Sequence, residues 1–213
     1  MTQYQSIIGN NSVYVDPAVV TFVAIPAIAE IGSIVDSVTL RWEFSKTPLT
    51  MVFDGQSLPL HVTTVQREGP FSEEQSWVVG MGDPYKTAKA RATLKFLNKV
   101  YWGNVDTAPE TSDDILELWN SQFSTANNRR SIQFGSPSGK KPCLAYPFRF
   151  GPPRSIRIGV PAQRFPDTTD WSVFTSYDLA TVSFTNPSGY TEDYLVLTFT
   201  AARDDSSLIV EFH

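Results

Sequence analysis

Nucleophilic and metal-binding residues are scarce in this chain of 213 residues, which holds one cysteine, Cys143, and two histidines, His61 and His213. A catalytic serine or cysteine needs a basic partner, and the sequence has no glycine-flanked serine turn that could present a nucleophile. Three scattered residues also cannot supply a tetrahedral zinc site. We expect no metal, no cofactor and no catalytic residue, with Cys143 buried and His61, in the strand-like stretch PLHVTT, structural.

Paired carboxylates are the other residues whose spacing could support catalysis. They occur as Asp113-Asp114, Glu73-Glu74, Glu192-Asp193 and Asp204-Asp205. Each pair lies at an expected helix start or turn, where acidic side chains cap backbone N–H groups and face solvent. A glycosidase needs two carboxylates that face each other across a cleft, which a sequence does not exclude. We predict that the chain is not an enzyme.

Clustered basic residues could contact phosphate groups, because such contacts need only cations with flexible reach. The segment from Lys86 to Arg157 holds 12 Lys or Arg and 5 Asp or Glu, whereas the rest of the chain holds 5 and 17. The candidate nucleic-acid contacts in it are Arg91, Lys95, Lys99, Arg129, Arg130, Lys140 and Lys141. No base-reading motif accompanies them, and a solvated basic face is the alternative. We expect non-specific phosphate contacts.

Two helices are expected to carry part of this basic segment. Asp83-Pro84 is typical of a helix start, and the helix formers of YKTAKARATLKFLNKVYWG predict a helix over 84–102 that ends at Gly103. Arg91, Lys95 and Lys99 would form a basic stripe opposite its apolar face. A second helix is predicted from Thr111, with Asp114 as its capping-box partner. Its buried stripe would be Ile115, Leu116, Trp119 and Phe123.

The rest of the sequence alternates in the manner of β-strands. Val38, Leu40, Trp42 and Phe44 recur at period two, and Asp54-Gly55 predicts a tight hairpin. LVLTFT and LIVEF, near the end of the chain, predict a final hairpin. Nine or ten such runs at short spacing predict a mainly β, antiparallel sandwich. We expect a single domain over 1–213 with a helical insertion at about 84–125.

Composition narrows the class of protein further. Charged residues make up 18% of the chain, so much of the surface should be uncharged and polar. The apolar stretch PAVVTFVAIPAIAEIGSIV is interrupted by Pro26 and Glu30, and MTQYQSIIGNNSVYVD does not read as a signal peptide. A lone cysteine rules out an internal disulfide, which favours a reducing compartment or an assembled particle. We expect no membrane association.

The late segment RFPDTTDWSVFTSYDLATVSFTNPSGYTEDYLVLTFTAA, with the strand order around it, resembles the single jelly-roll capsid (coat) proteins of small icosahedral viruses. This resemblance implies an eight-stranded antiparallel jelly-roll β-sandwich with two inserted α-helices. It also implies self-assembly into a homo-oligomeric shell that encloses viral nucleic acid, location in the virion and assembly in the host cell. The chain departs from many such proteins because no basic residue precedes Arg41, so a basic N-terminal arm is missing.

Two other classes of protein stay open. A β-sandwich module that binds carbohydrate or another ligand would use exposed aromatic side chains, for which Trp102 and Trp171 are the candidates. Trp42, Trp77 and Trp119 lie on apolar faces and are expected in the core. A jelly-roll hydrolase would use one of the carboxylate pairs. Exposed tryptophan favours the first of these classes, and facing carboxylates favour the second.

Overall fold

The computed structural model describes residues 16–124, 130–161, 169–204 and 208–212, without the side chains of Arg130, Pro161 and Phe212. These residues are mainly β, as predicted, with one α-helix and one short 3-10 helix among them. Contacts divide them into two compact units. The N-terminal unit holds residues 16–27 and 36–94, and the C-terminal unit holds residues 28–35 and 95–212. The single-domain boundary of 1–213 stays a prediction.

The elements are numbered in chain order. Those of the N-terminal unit are β1 (Val19–Ile25), β3 (Val35–Phe44), β4 (Thr50–Phe53), β5 (Gln56–Ser57), β6 (Thr64–Phe71), β7 (Gln75–Gly82) and β8 (Thr87–Leu97), which runs on into the C-terminal unit. Those of the C-terminal unit are β2 (Ile28–Glu30), β9 (Lys99–Val105), α1 (Ser112–Leu116), β10 (Asn120–Phe123), β11 (Arg130–Gly135), β12 (Lys141–Pro147), the 3-10 helix Phe148–Phe150, β13 (Ile156–Pro161), β14 (Thr169–Phe174), β15 (Tyr177–Thr185), β16 (Thr191–Phe199) and β17 (Leu208–Phe212).

The N-terminal unit is built from two sheets, in the orders β1-β3-β6 and β5-β4-β7-β8. Trp42 of β3 is 1% exposed and stacks on Phe53 of β4 with ring centroids 5.6 Å apart, while Phe22 of β1 meets the same indole edge-on at 6.0 Å. The sheets therefore share an aromatic core. The predicted hairpin at Asp54-Gly55 is confirmed, since both residues have positive φ (48° and 81°) between β4 and β5.

The predicted helix over 84–102 is wrong, because this segment forms β8 and β9. Asp83 accepts the backbone N–H groups of Tyr85 and Lys86 at 2.9 and 2.8 Å, but it closes a turn between β7 and β8 instead of capping a helix. An Asp side chain offers the same bonds in both structures. In β8 the Ala88–Leu94 stretch alternates, with even positions turned inward, so period two overrides the helix propensity of alanine and lysine.

The C-terminal unit is a two-sheet β-sandwich. One sheet has the order β10-β9-β12-β16-β15 and the other β11-β17-β13-β14, and the strand pairs within both are antiparallel. A buried cluster joins the sheets: Val100, Ile132, Phe134, Leu144, Tyr146, Ile156, Ile158, Leu195, Leu197, Phe199, Leu208 and Val210. β2 adds a parallel pairing to the end of β8, which an all-antiparallel sandwich lacks.

The last two strands do not form the hairpin that their alternation predicted. β16 pairs with β12 and β15, whereas β17 pairs with β11 and β13 of the opposite sheet. The chain thus crosses between the sheets after β16. The inward residues are as predicted, since Leu195, Leu197 and Phe199 meet Leu208 and Val210 in the shared core. Val196 and Thr198 on the other face of β16 are buried too. Alternation therefore predicts which residues share a face, but not that only one face is buried, and the partner strand is chosen by distant contacts.

The second predicted helix exists but is short. Thr111 caps α1, its hydroxyl accepting the Asp114 N–H at 3.2 Å while the Asp114 carboxylate accepts the Thr111 N–H at 2.9 Å, so the capping box is confirmed. The helix ends at Leu116, and residues 120–123 form β10. Ile115, fully buried, packs on the outer face of the five-stranded sheet against a cluster that includes Cys143 and Phe184.

Candidate functional site

The cysteine and the histidine that the structure describes, Cys143 and His61, belong to different units. Cys143 is buried in β12, as expected. Burial raises the pKa of its thiol to about 12, although a bond from the Thr198 hydroxyl at 3.4 Å opposes this shift. His61 lies in an exposed turn instead of a strand, and His213 lies outside the described residues. Among the residues that the structure describes, no three His, Cys, Asp or Glu side chains group as metal ligands.

Two of the paired carboxylates, Asp114 and Glu192, accept hydrogen bonds from neighbouring residues. Asp114 accepts the N–H groups of Glu110 and Thr111, and these backbone bonds lower the pKa of its carboxyl. The two carboxylate oxygens of Glu192 accept hydrogen bonds from one Arg149 nitrogen, at 2.6 and 2.8 Å. One of these oxygens also accepts a hydrogen bond from the Asn98 amide at 2.6 Å. Asp205 lies outside the described residues. These partners give Asp114 and Glu192 structural roles.

The predicted nucleic-acid contacts differ in exposure and in ion-pair partner. Lys99 pairs with Glu30 at 3.2 Å, and Lys140 pairs with Asp106 at 3.3 Å. Arg91 and Lys95 are exposed on β8, whereas Lys141 on β12 is half-buried. Arg129 and the side chain of Arg130 lie outside the described part of the chain. The helical stripe does not exist because its helix does not, and phosphate contact by these residues stays a prediction.

The five-stranded sheet of the C-terminal unit ends in a long edge strand, β15. β15 is the end strand of its sheet and pairs with β16 along all nine residues. The Ser112 hydroxyl accepts the Thr185 N–H at 2.9 Å and donates to the Ser183 carbonyl at 3.4 Å, which shows that odd-numbered residues of β15 direct their backbone groups away from β16. Among the described residues, no hydrogen bond is seen to the same groups of Leu179 and Thr181.

A groove beside α1 brings together residues that the sequence did not group. Its volume is about 800 Å³, and it lies among Gly103–Thr111, the end of α1 and the loop at 136–140. Trp119 lines it and is 71% exposed, so its expected place in the core is wrong. Leu118, 5% exposed, points inward instead, because α1 ends before the four-residue spacing from Ile115 reaches Trp119. No signal in the sequence marked this early helix end.

The other tryptophans are less exposed than Trp119. Trp42 and Trp77 are buried, as predicted. Trp102 and Trp171, the expected exposed pair, are half-buried. The Trp102 indole donates to the Gln133 carbonyl at 3.1 Å, and the Arg157 guanidinium lies 5.2 Å from the centre of the Trp171 ring. Trp102 also packs against the shared core, so both candidates for sugar stacking make contacts within the unit.

Comparison with known proteins does not place the chain in a family. No family model matches its sequence, and no curated protein does. One solved structure that it is similar to is a carbohydrate-binding module of the β-sandwich superfamily, at 10% identity over 91% of this chain and 95% of the other, with a TM-score of 0.29. That score is too low to carry an argument about fold or ligand. No helix in the described part of the chain has the length and apolar character that crossing a membrane requires.

Proposed function

We propose that this chain is a structural subunit that self-assembles into a viral capsid shell. The single observation that carries the proposal is the open edge of β15. The family resemblance of the late segment, which includes β15 and β16, supports it. In this proposal an eight-stranded jelly-roll sandwich supplies the shell wall, the chain performs no catalysis, and the shell lies in the virion after assembly in the host cell.

The edge of β15 has the properties of a strand that another chain completes. It is nine residues long, and beyond Asp178 it contains no charged residue and no proline. Soluble proteins protect their edge strands with lysine, proline, bulges or a covering element, because unpaired N–H and C=O groups are templates for a further strand. Here Ser112 covers only the far end, and Leu179 stays 40% exposed.

A second copy of the chain is the occupant that we propose for this edge. Its strand would add to β15 and accept and donate the hydrogen bonds of Leu179 and Thr181, in the manner of strand addition. If that strand comes from a different surface, the contact is heterologous and can repeat around a symmetry axis, as a closed shell requires. The exposed Arg91 and Lys95 would then be the first residues to test for contact with enclosed nucleic acid.

A proline at position 181 tests the edge directly. The Thr181 N–H points away from β16, so Thr181→Pro removes an outward donor and adds a ring at the edge without breaking the β15–β16 ladder. We expect the wild-type chain and the matched Thr181→Ala control to form large particles in light scattering after size exclusion. Thr181→Pro should shift the chain to monomers or small oligomers, with circular dichroism unchanged.

The proposal fails in either of two ways. Particles of wild-type size from a folded Thr181→Pro chain would show that β15 is not the assembly edge. A wild-type chain that stays monomeric across salt and pH would remove the shell itself. Each lost strand hydrogen bond is worth about 1 kcal/mol, but the loss recurs at every subunit contact, so a small change per contact is enough to prevent closure.

A further inference from the structure

Trp119 is exposed, and one edge of its ring lies against β9. A Cβ built on Gly103 of β9 would lie 3.0 Å from Cδ1 and 3.1 Å from Nε1 of the Trp119 indole. The ring edge therefore rests against bare backbone, and a larger residue at 103 would displace it. Trp119 nevertheless lines the groove, and 71% of the residue is exposed. An exposed aromatic ring of this size gives a ligand a large apolar face to cover.

The walls of the groove are polar. Ser136 and Ser138 line it with their hydroxyl oxygens 3.4 Å apart, and so do Asn104 and Thr107. Hydroxyl and amide groups both donate and accept hydrogen bonds, so they match ligands that carry many hydroxyl groups. A flat aromatic face beside such a wall fits a ring with an apolar C–H face and a hydroxyl rim, which is the shape of a pyranose sugar.

The charge of the groove limits which sugars can bind. Its lining contains four carboxylates and one lysine: Asp106, Glu110, Asp114, Glu117 and Lys140. The lysine pairs with Asp106 at 3.3 Å, which leaves the other three acidic. Backbone hydrogen bonds from Glu110 and Thr111 lower the pKa of the Asp114 carboxyl. The potential in the groove is therefore negative, and it opposes phosphate, sulfate and uronate groups.

From these contacts we infer that the groove beside α1 binds a neutral or cationic sugar chain, with Trp119 as the stacking surface. The inference does not rest on the proposed assembly. The carboxylates accept hydrogen bonds from sugar hydroxyl or ammonium groups, and the serines complete the rim. A basic peptide would also be attracted by the charge, but the hydroxyl wall and open indole face match a sugar ring better than a flexible lysine side chain.

Calorimetric titration of the folded full chain with three hexasaccharides tests the inference. The probes are the neutral hexamer of N-acetylglucosamine, the cationic hexamer of glucosamine and the anionic hexamer of galacturonate, with hexalysine as a fourth. We expect saturable binding of the first or second probe and none of the third. Trp119→Ala should weaken it by about tenfold or more, as loss of an aromatic contact of over 1 kcal/mol requires.

Two further variants separate stacking from charge. Trp171→Ala is the matched control, because it removes a half-buried tryptophan from a strand that does not line the groove, and affinity should not change. Glu117→Gln should reduce the preference for the cationic over the neutral hexamer. The inference is overturned if neither sugar binds, if galacturonate binds more tightly, if hexalysine alone binds, or if Trp119→Ala binds as the wild-type chain does.

Discussion

Cys143 should be almost inert to thiol reagents in the folded chain. Its side chain is fully buried in β12, and burial raises its pKa from 9.0 to about 12. The thiolate is the reactive form, so at pH 8 this shift alone lowers its fraction about a thousandfold. A disulfide reagent such as DTNB also cannot reach the sulfur until the strands around it separate. Labelling should therefore report opening of the C-terminal unit.

The assay follows DTNB absorbance at increasing urea, beside unfolding measured by circular dichroism. We expect labelling in buffer to be at least about a thousandfold slower than in the unfolded chain, and to accelerate along the unfolding transition. Ser188→Cys in a Cys143→Ala background is the control, because Ser188 lies in an exposed turn and should label at once. Rapid labelling of native Cys143 would refute the burial and the pKa shift together.

Two further predictions concern the stability of the C-terminal unit. Burial raises the pKa values of Tyr101, Tyr194 and Cys143, so these groups ionise at lower pH in the unfolded chain. The stability that their neutral forms contribute is fully present below about pH 9 and is lost as the pH rises further. Ionisation of Cys143 alone should lower the free energy of unfolding by about 4 kcal/mol by pH 12. A urea midpoint that stays constant from pH 8 to 11 would contradict this. Phe199 stacks on Phe174 at 4.1 Å in the shared core, so Phe199→Ala should cost about 3–5 kcal/mol in urea unfolding, and Phe199→Leu much less. Equal costs for both variants would mean that the core does not pack around this ring.

Local patterns in the sequence predicted local structure well. The alternation in β3 placed Val38, Leu40 and Trp42 in the core, because side chains of a strand point to opposite faces whatever its partners are. The Asp54-Gly55 turn and the Thr111 capping box were also predictable, since each depends on hydrogen bonds and backbone angles within four residues. These features need no knowledge of distant parts of the chain.

Features that depend on distant contacts were not predictable in this way. The stretch from Ala88 to Leu94 carries both helix propensity and strand alternation, and pairing of β8 with β7 decides between them. The same holds for the final strands, which join opposite sheets. The exposed Trp119 and the open edge of β15 follow from where α1 ends and from the strand order, so neither could be predicted from its own residues.

Particle mass is the most direct test of the proposed capsid function. The measurement is light scattering after size exclusion of the full chain, with absorbance at 260 and 280 nm recorded across the peak. The proposal predicts closed particles of megadalton mass, and excess absorbance at 260 nm if the exposed basic residues hold nucleic acid. A homogeneous 23.7 kDa monomer at every salt concentration and pH would contradict it.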